Sequence, residues 1–367
     1  MIPIPDEQKK LLQECISTAS GNFSLYFSRM TDWNEDRDKT KKKDDAVTIL
    51  LNAGTKIITG ASAVLEDIHK RQASYMFACC KKGGMCLEIR AVLESAYVSG
   101  LGSGHPTETG MILDRNTGLP YIPASSLKGV LRNACEDEEL KLKYFGNESS
   151  AKKDDISVRG QLVILDAFPS KVPVLKEDVM TPHFGQYYEG TGSAPVDTNN
   201  PIPIKFISVK EGAEYVFRVI VMPLLQTEGN KQFDSDETEK IKQLVEIVLT
   251  ENGVGAKTMV GYGIFKEIKD VTKEEEAKAK EREKEIERNK AEEAVKNMSP
   301  ADRMKYDVEN MNIETAAEVI NKVLQSNDAE RYIVEESLKK LSGLGIKENT
   351  NKKWKERIVK LKDKIKS

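Results

Sequence analysis

The sequence predicts an α+β protein. A ferredoxin-like core over about 85–270 follows a helical N-terminal extension, 1–84, and precedes a charged helical rod, 271–298, and a small helical C-terminal domain, 299–367. Three observations carry this reading. Apolar residues recur at helical spacing before residue 84. From Met85 the chain alternates short apolar strands with amphipathic helices. After Asp270 the composition becomes Lys/Glu-rich. The order of the core is strand, loop, helix, strand, long insert, strand, helix, Gly-rich turn, strand. This order suits a unit in which two helices pack on one face of an antiparallel sheet.

The elements are read in chain order. Residues 46–53 are apolar, and Ala63, Val64, Leu65, Ile68, Tyr75 and Met76 repeat at helical spacing. Between these helical stretches, DRDKTKKKDD (36–45) is a solvated charge run expected to form a mobile loop. MCLEIRAVLES from Met85 reads as a strand, and the Gly-rich loop 100–110 follows. The next helix takes Ser125 or Ser126 as N-cap and buries Leu127, Val130, Leu131 and Ala134. Strands are expected over 161–168, 214–222 and 260–268, with an amphipathic helix over 235–250. In the C-terminal part, Ser299-Pro300 reads as a helix start. The apolar faces there are Ala316, Val319, Ile320 and Val323, then Ile333, Leu338 and Leu341, then Trp354, Ile358, Leu361 and Ile365.

Composition narrows the function. With 39% hydrophobic and 31% charged residues, the chain reads as globular with a charged appendage. No run of about 18 apolar residues offers a membrane span. The N-terminus lacks a basic segment followed by an apolar one, so no secretory signal and a cytoplasmic location are expected. Five cysteines without CxxC spacing predict reduced thiols, and no metal or other cofactor is expected. The net charge of −3 is not that of a free-standing nucleic-acid binder. Any RNA is therefore held by a local patch or shared among subunits.

Several segments have the composition of a site. In NGVGAKTMVGYGIF (252–265), glycines permit close backbone approach and positive φ. Successive amides then form an anion cradle with Lys257 as a point charge; the competing reading is a tight bulged hairpin. Neither a P-loop nor a dinucleotide fingerprint is present. His105, within the loop 100–110, is either a general acid–base or a loop histidine bonded to backbone or phosphate. Ser125-Ser126-Leu127-Lys128 matches SxxK formally, but no companion SDN or KTG motif accompanies it. A helix start there, with Lys128 and Arg132 four apart on one face, favours phosphate instead. The insert 178–205 carries Phe184, Tyr187 and Tyr188, which stack on bases or pack on the chain's own core or a neighbouring subunit. The basic helix at 352–367 either docks on its own small domain or touches RNA or membrane.

Together, segments 100–134, LVILDAFP (162–169), 178–209 and GVGAKTMVGYGIF (253–265) resemble the RAMP superfamily of CRISPR-associated proteins. GHPTETG with TPHFGQYY points within it to the sixth-subunit family of the Cmr, type III-B, effector complexes. The resemblance covers roughly half of the chain. It implies an RRM-like core in a subunit at the end of the complex holding the 3′ part of the guide RNA. The implied partners are guide and target RNA, the repeated backbone subunit, a small helical subunit and another RAMP subunit. Neither target cleavage nor cyclic-oligonucleotide synthesis would belong to this chain. The alternatives are a metal-independent guide-processing endonuclease using His105 or His183, or a scaffold that touches only protein. Carried over by position, Ser125, Ser126, Lys128, Arg132, Gly255, Ala256, Lys257 and Thr258 contact guide phosphates. The insert bearing His183 and Tyr187 resembles a thumb that wedges into the guide–target duplex. The residues after 270 exceed the family pattern.

Overall fold

The computed structural model describes residues 6–29, 44–105, 107, 109–147, 158–182, 190, 203–223, 235–326 and 331–366. The fold is mixed helix and antiparallel sheet, in two compact units, Met1–Ala279 and Lys280–Ser367. The first unit begins with four helices: α1 (Asp6–Ser17), α2 (Phe23–Arg29), α3 (Asp44–Thr59) and α4 (Ser62–Lys81). Of the charge run 36–45, residues 36–43 lie outside the described residues, and α3 starts at Asp44.

The main sheet is built around β1 (Met85–Leu93). It pairs antiparallel with β6 (Glu214–Val221), from Met85↔Val221 to Val92↔Glu214, and on its other edge with β7 (Phe265–Asp270). β2 (Leu162–Ile164) and β3 (Phe168–Pro169) both pair with β6, so the path runs β2-β6-β1-β7. Helices α5 (Ala124–Ala134) and α6 (Glu138–Phe145) lie between β1 and β2, and α7 (Ser235–Ile247) lies between β6 and β7. A separate hairpin, β4 (Leu175–Met180) with β5 (Ile204–Val209), flanks the insert.

Strand periodicity decides what each face carries. Leu87, Ile89, Ala91 and Leu93 of β1, with Tyr215, Phe217, Val219 and Val221 of β6, share one apolar core with Leu127 and Leu131 of α5 and Ile241 and Val245 of α7. Each such fully buried Leu, Ile, Val or Phe side chain contributes about 1.5–3 kcal/mol. The alternate positions face α4, where Ile220 packs with Ala73, Met76 and Phe77. On that face Glu88 and Arg218 are 0% and 3% exposed. The Arg218 guanidinium donates to both Glu88 carboxylate oxygens, at 2.9 and 3.2 Å. It also donates to Gln72 Oε1 at 2.7 Å and to His69 Nδ1 at 3.2 Å. His69 Nε2 then donates to the Pro169 carbonyl at 2.9 Å, and burial lowers the ring's pKa. A neutral histidine with its proton on Nε2 satisfies both contacts.

Four expectations are corrected. Pro123, not Ser125 or Ser126, is the N-cap of α5, and Asp166 Oδ1 accepts the Ala124 amide at 2.7 Å, so an outside carboxylate does the capping. The strand expected over 161–168 breaks, because Ala167 leaves β6 to exchange hydrogen bonds with Ile122. The helix expected to reach 250 ends at Ile247 in a π-helical turn, Val248–Asn252, and β7 starts only at Phe265. Cys80 and Cys86 are joined in a disulfide, since the turn after α4 brings their Cα atoms to 6.1 Å; Cys15, Cys79 and Cys135 are free thiols.

Helix α8 (Thr272–Lys296) starts in the first unit, where Thr272 Oγ1 accepts the Glu88 amide at 2.9 Å and Glu275 pairs with Arg90 at 3.0 Å. The second unit contains α9 (Pro300–Glu309), α10 (Ala316–Gln325), α11 (Arg331–Gly343) and α12 (Lys352–Lys366). Ser299 caps α9 with Pro300 in its first turn. Its core is Ala316, Val319, Ile320, Val323, Ile333, Leu341, Trp354, Ile358 and Leu361, with Leu338 and Ile365 partly buried around it.

Candidate nucleic-acid interface

The Gly-rich stretch 253–263 follows the π turn, and its backbone alternates between left-handed and helical conformations. Lys257 has φ +63° and Gly261 φ +90°, and between them Thr258–Val260 form one 3-10 turn. Two of the glycines serve the fold rather than a ligand. A Cβ on Gly255 (φ +97°) would lie 2.5 Å from the Val98 carbonyl oxygen, and one on Gly263 would lie 1.9 Å from that of Val254. The close approach expected toward a polyanion is here an approach to the chain's own backbone, fixed by Ala256 N–H to Val98 O at 2.8 Å. Among the described residues, no hydrogen bond takes the amides of Lys257, Thr258 or Met259. Met259 is 96% and Val260 69% exposed at the tip of the turn. A left-handed bend with open amides beside a lysine is an anion-binding geometry.

This turn is clamped to the root of the insert. The Lys257 ammonium sits 5.6 Å from the Phe206 ring centroid and 3.8 Å from Met180 Sδ. The Tyr262 hydroxyl donates to Asp178 Oδ2 at 2.7 Å, and burial together with that bond pushes its pKa up to about 12. Loop 100–110 reaches the same hairpin, since Thr109 Oγ1 donates to the Lys205 carbonyl at 3.2 Å. Lys205 pairs with Glu177 at 2.8 Å and Thr48 of α3 donates to Glu177 at 2.8 Å; the bond from Lys205 holds the Glu177 carboxyl below its ordinary range. Two Gly-rich loops and helix α3 thus converge on the β4–β5 hairpin.

His105 is anchored inward. Its ring stacks on Phe27 at 4.1 Å, Nε2 donates to the Phe27 carbonyl at 2.7 Å, and Nδ1 lies 2.7 Å from Thr107 Oγ1. Burial lowers its pKa, and the bond to the Phe27 carbonyl ties the loop to α2.

Helix α5 packs against the π turn and β2. Ser125 and Ser126 are exposed in its first turn, while Lys128 and Arg132 are half-buried. Lys128 Nζ donates to the Leu162 carbonyl at 2.6 Å, and its pKa is lowered by burial and then by the nearby Arg159. Arg159 completes this basic edge. Sequence reading missed it, because it reaches α6 only through the Gly146↔Arg159 bridge. His183 and Tyr187 lie outside the described residues. Among the described residues, no group of three or more His, Cys, Asp or Glu side chains is arranged to hold a metal.

Comparison with known proteins assigns the class. The RAMP superfamily profile matches residues 51–266, more than half of the sequence, and the chain belongs to that superfamily. Within it, the chain is similar to two curated Cmr6 subunits. The CRISPR system Cmr subunit Cmr6 of Pyrococcus furiosus is 30% identical over 230 residues, 46% of this chain and 64% of that protein. The counterpart from Saccharolobus solfataricus is 26% identical over 163 residues, 43% of this chain and 48% of that protein. The match therefore spans less than two thirds of either relative. Among solved structures, a chain of the type III-B Cmr-beta complex bound to cognate target RNA aligns with TM-score 0.47 and 20% identity, over 71% of this chain and 92% of that one. The crystal structure of Pyrococcus furiosus Cmr6 aligns with TM-score 0.29 and 26% identity, over 50% of this chain and 97% of that one.

Proposed function

We propose that this chain is a non-cutting, guide-RNA-holding subunit of a type III-B CRISPR effector in the cytoplasm. It sits at the end that holds the 3′ part of the guide, beside the backbone, small helical and RAMP neighbours that such a position implies. Superfamily membership and the two Cmr6 relatives support the class of assembly. The strand path β2-β6-β1-β7, with α5 and α7 as the two crossovers, supports a ferredoxin-like, RRM-like reading of the core.

The observation that carries the RNA-holding role is the convergence of loops 100–110 and 253–263 on the β4–β5 hairpin, with Lys257 beside open amides. The sheet face opposite α5 and α7 is covered by α4 and holds Glu88, Arg218 and Ile220 in burial. Bases therefore do not stack on that face as in an open RRM, and the strand is held by loops through its phosphates. Engagement of both His105 ring nitrogens by the chain's own groups supports a role without cleavage.

The test is guide occupancy of the reconstituted complex with wild type and with Lys128→Ala/Arg132→Ala/Lys257→Ala, over a salt series. Loss of up to three phosphate contacts lowers the slope of log K against log salt by about 2. An unchanged occupancy and slope rules out this patch. RNA cleavage in EDTA that His105→Ala abolishes rules out the non-cutting role.

A further inference from the structure

The net charge of −3 hides a segregation along the chain. Residues 331–367 hold twelve Lys or Arg against five Asp or Glu, whereas residues 1–330 hold forty-four against fifty-four. Lys/Glu-rich α8, by contrast, is nearly balanced, with eight cations and nine carboxylates. We propose that the C-terminal unit is a second, separate nucleic-acid grip, holding the phosphate backbone of a single strand on the lysine face of α12.

The placement of the lysines supports this. Lys352, Lys353 and Lys360 are exposed, and among the described residues no ion pair or hydrogen bond takes them. Lys352 and Lys353 open the helix, and its first turn carries no acidic residue. Cations at a helix N-terminus oppose the macrodipole, so folding alone disfavours them there. Lys353 and Lys360 lie two turns apart on one flank, a row of point charges suited to an extended polyanion.

The face that a membrane would need is already used. Trp354, Ile358 and Leu361 are buried in the unit's own core, so α12 has no apolar stripe left for a lipid interface. The exposed surface of the helix is almost wholly charged, with Val359 its one exposed large apolar side chain, so it lacks the apolar anchor on which a protein partner would depend. The grip reads charge and spacing, not sequence, and it acts independently of the loops around Lys257.

The experiment uses the full-length chain and the triple variant Lys352→Glu/Lys353→Glu/Lys360→Glu, followed by anisotropy of labelled single-stranded RNA and DNA over a salt series. The expected result is an affinity loss of roughly tenfold or more at low salt, with the salt slope lower by about 2. The thermal midpoint should stay unchanged or rise, because acidic residues suit a helix start. Equal losses on RNA and DNA assign the site to the shared backbone, and a loss on RNA alone assigns it to RNA. Adding Lys257→Ala to the wild type and to the triple variant separates the two sites, since independent grips predict the same further loss in either background. The proposal is overturned if the triple variant binds both probes as wild type does. It is equally overturned if poly-glutamate competes as well as RNA, or if the lysines are needed only for anionic phosphatidylglycerol vesicles.

Discussion

Replacing Arg218 with Met removes the cation that Glu88 pairs with inside the sheet and leaves a carboxylate that is 0% exposed. Burial already pushes the Glu88 carboxyl up, and the Arg218 guanidinium pulls it back down, so the partner's loss leaves the penalty opposed only by the charge of Arg90. Gln72 Oε1 and His69 Nδ1 lose their donor in the same step. Removing one member of a buried pair costs about 3–5 kcal/mol. For a unit of this size, that lowers the thermal midpoint by roughly 10 °C. The double change Glu88→Leu/Arg218→Met replaces the pair with apolar groups and should recover most of the loss. Urea unfolding of wild type, both single variants and the double variant closes a cycle with a coupling energy of about 3 kcal/mol. An Arg218→Met protein within about 1 kcal/mol of wild type, or a double variant as weak as the single, refutes this account of the face under α4.

Three further outcomes follow from the site. Gly255→Ala, with its Cβ 2.5 Å from the Val98 oxygen, should cost about 2–4 kcal/mol, whereas Gly261→Ala, with nothing within 4 Å, should cost only about 1 kcal/mol of backbone strain; denaturant midpoints compare them. His69 and His105 both have lowered pKa values, so the unfolded chain takes up protons first as pH falls. Stability should therefore be complete above about pH 6.5 and decline below it, and His105→Asn should flatten the decline seen in unfolding at successive pH values. Tyr262→Phe, which loses the bond to Asp178, should cost about 1 kcal/mol and speed amide exchange in 253–263 without changing the secondary structure read by circular dichroism.

Much of the fold was legible because periodicity reports burial directly. The apolar spacing around Leu127 and Leu131, and around Val319, Ile320 and Val323, appears as buried helix faces. What escaped was set by partners distant in sequence. The Ala124 amide is capped by Asp166, forty-two residues later, so the serines beside it gave a false N-cap signal. Glu88 and Arg218 sit in strands as ordinary polar alternation, and only their register and α4 reveal a buried pair. The glycines at 255 and 263 looked made for a ligand, but two of the close approaches they allow are to Val98 and Val254. At the site, Lys257 was legible as a cation in a glycine frame. Its seat over Phe206, and the arrival of Thr109 and Tyr262 on the same hairpin, required the tertiary structure.

The central claim is that this hairpin and its two loops hold guide RNA inside an assembled effector. The most direct measurement is photocrosslinking of a complex assembled on guide RNA carrying 4-thiouridine, with adducts mapped by mass spectrometry. Adducts within 253–263 and along 175–209 are the predicted result. Crosslinks confined to other subunits, with this chain present at full stoichiometry, would contradict it.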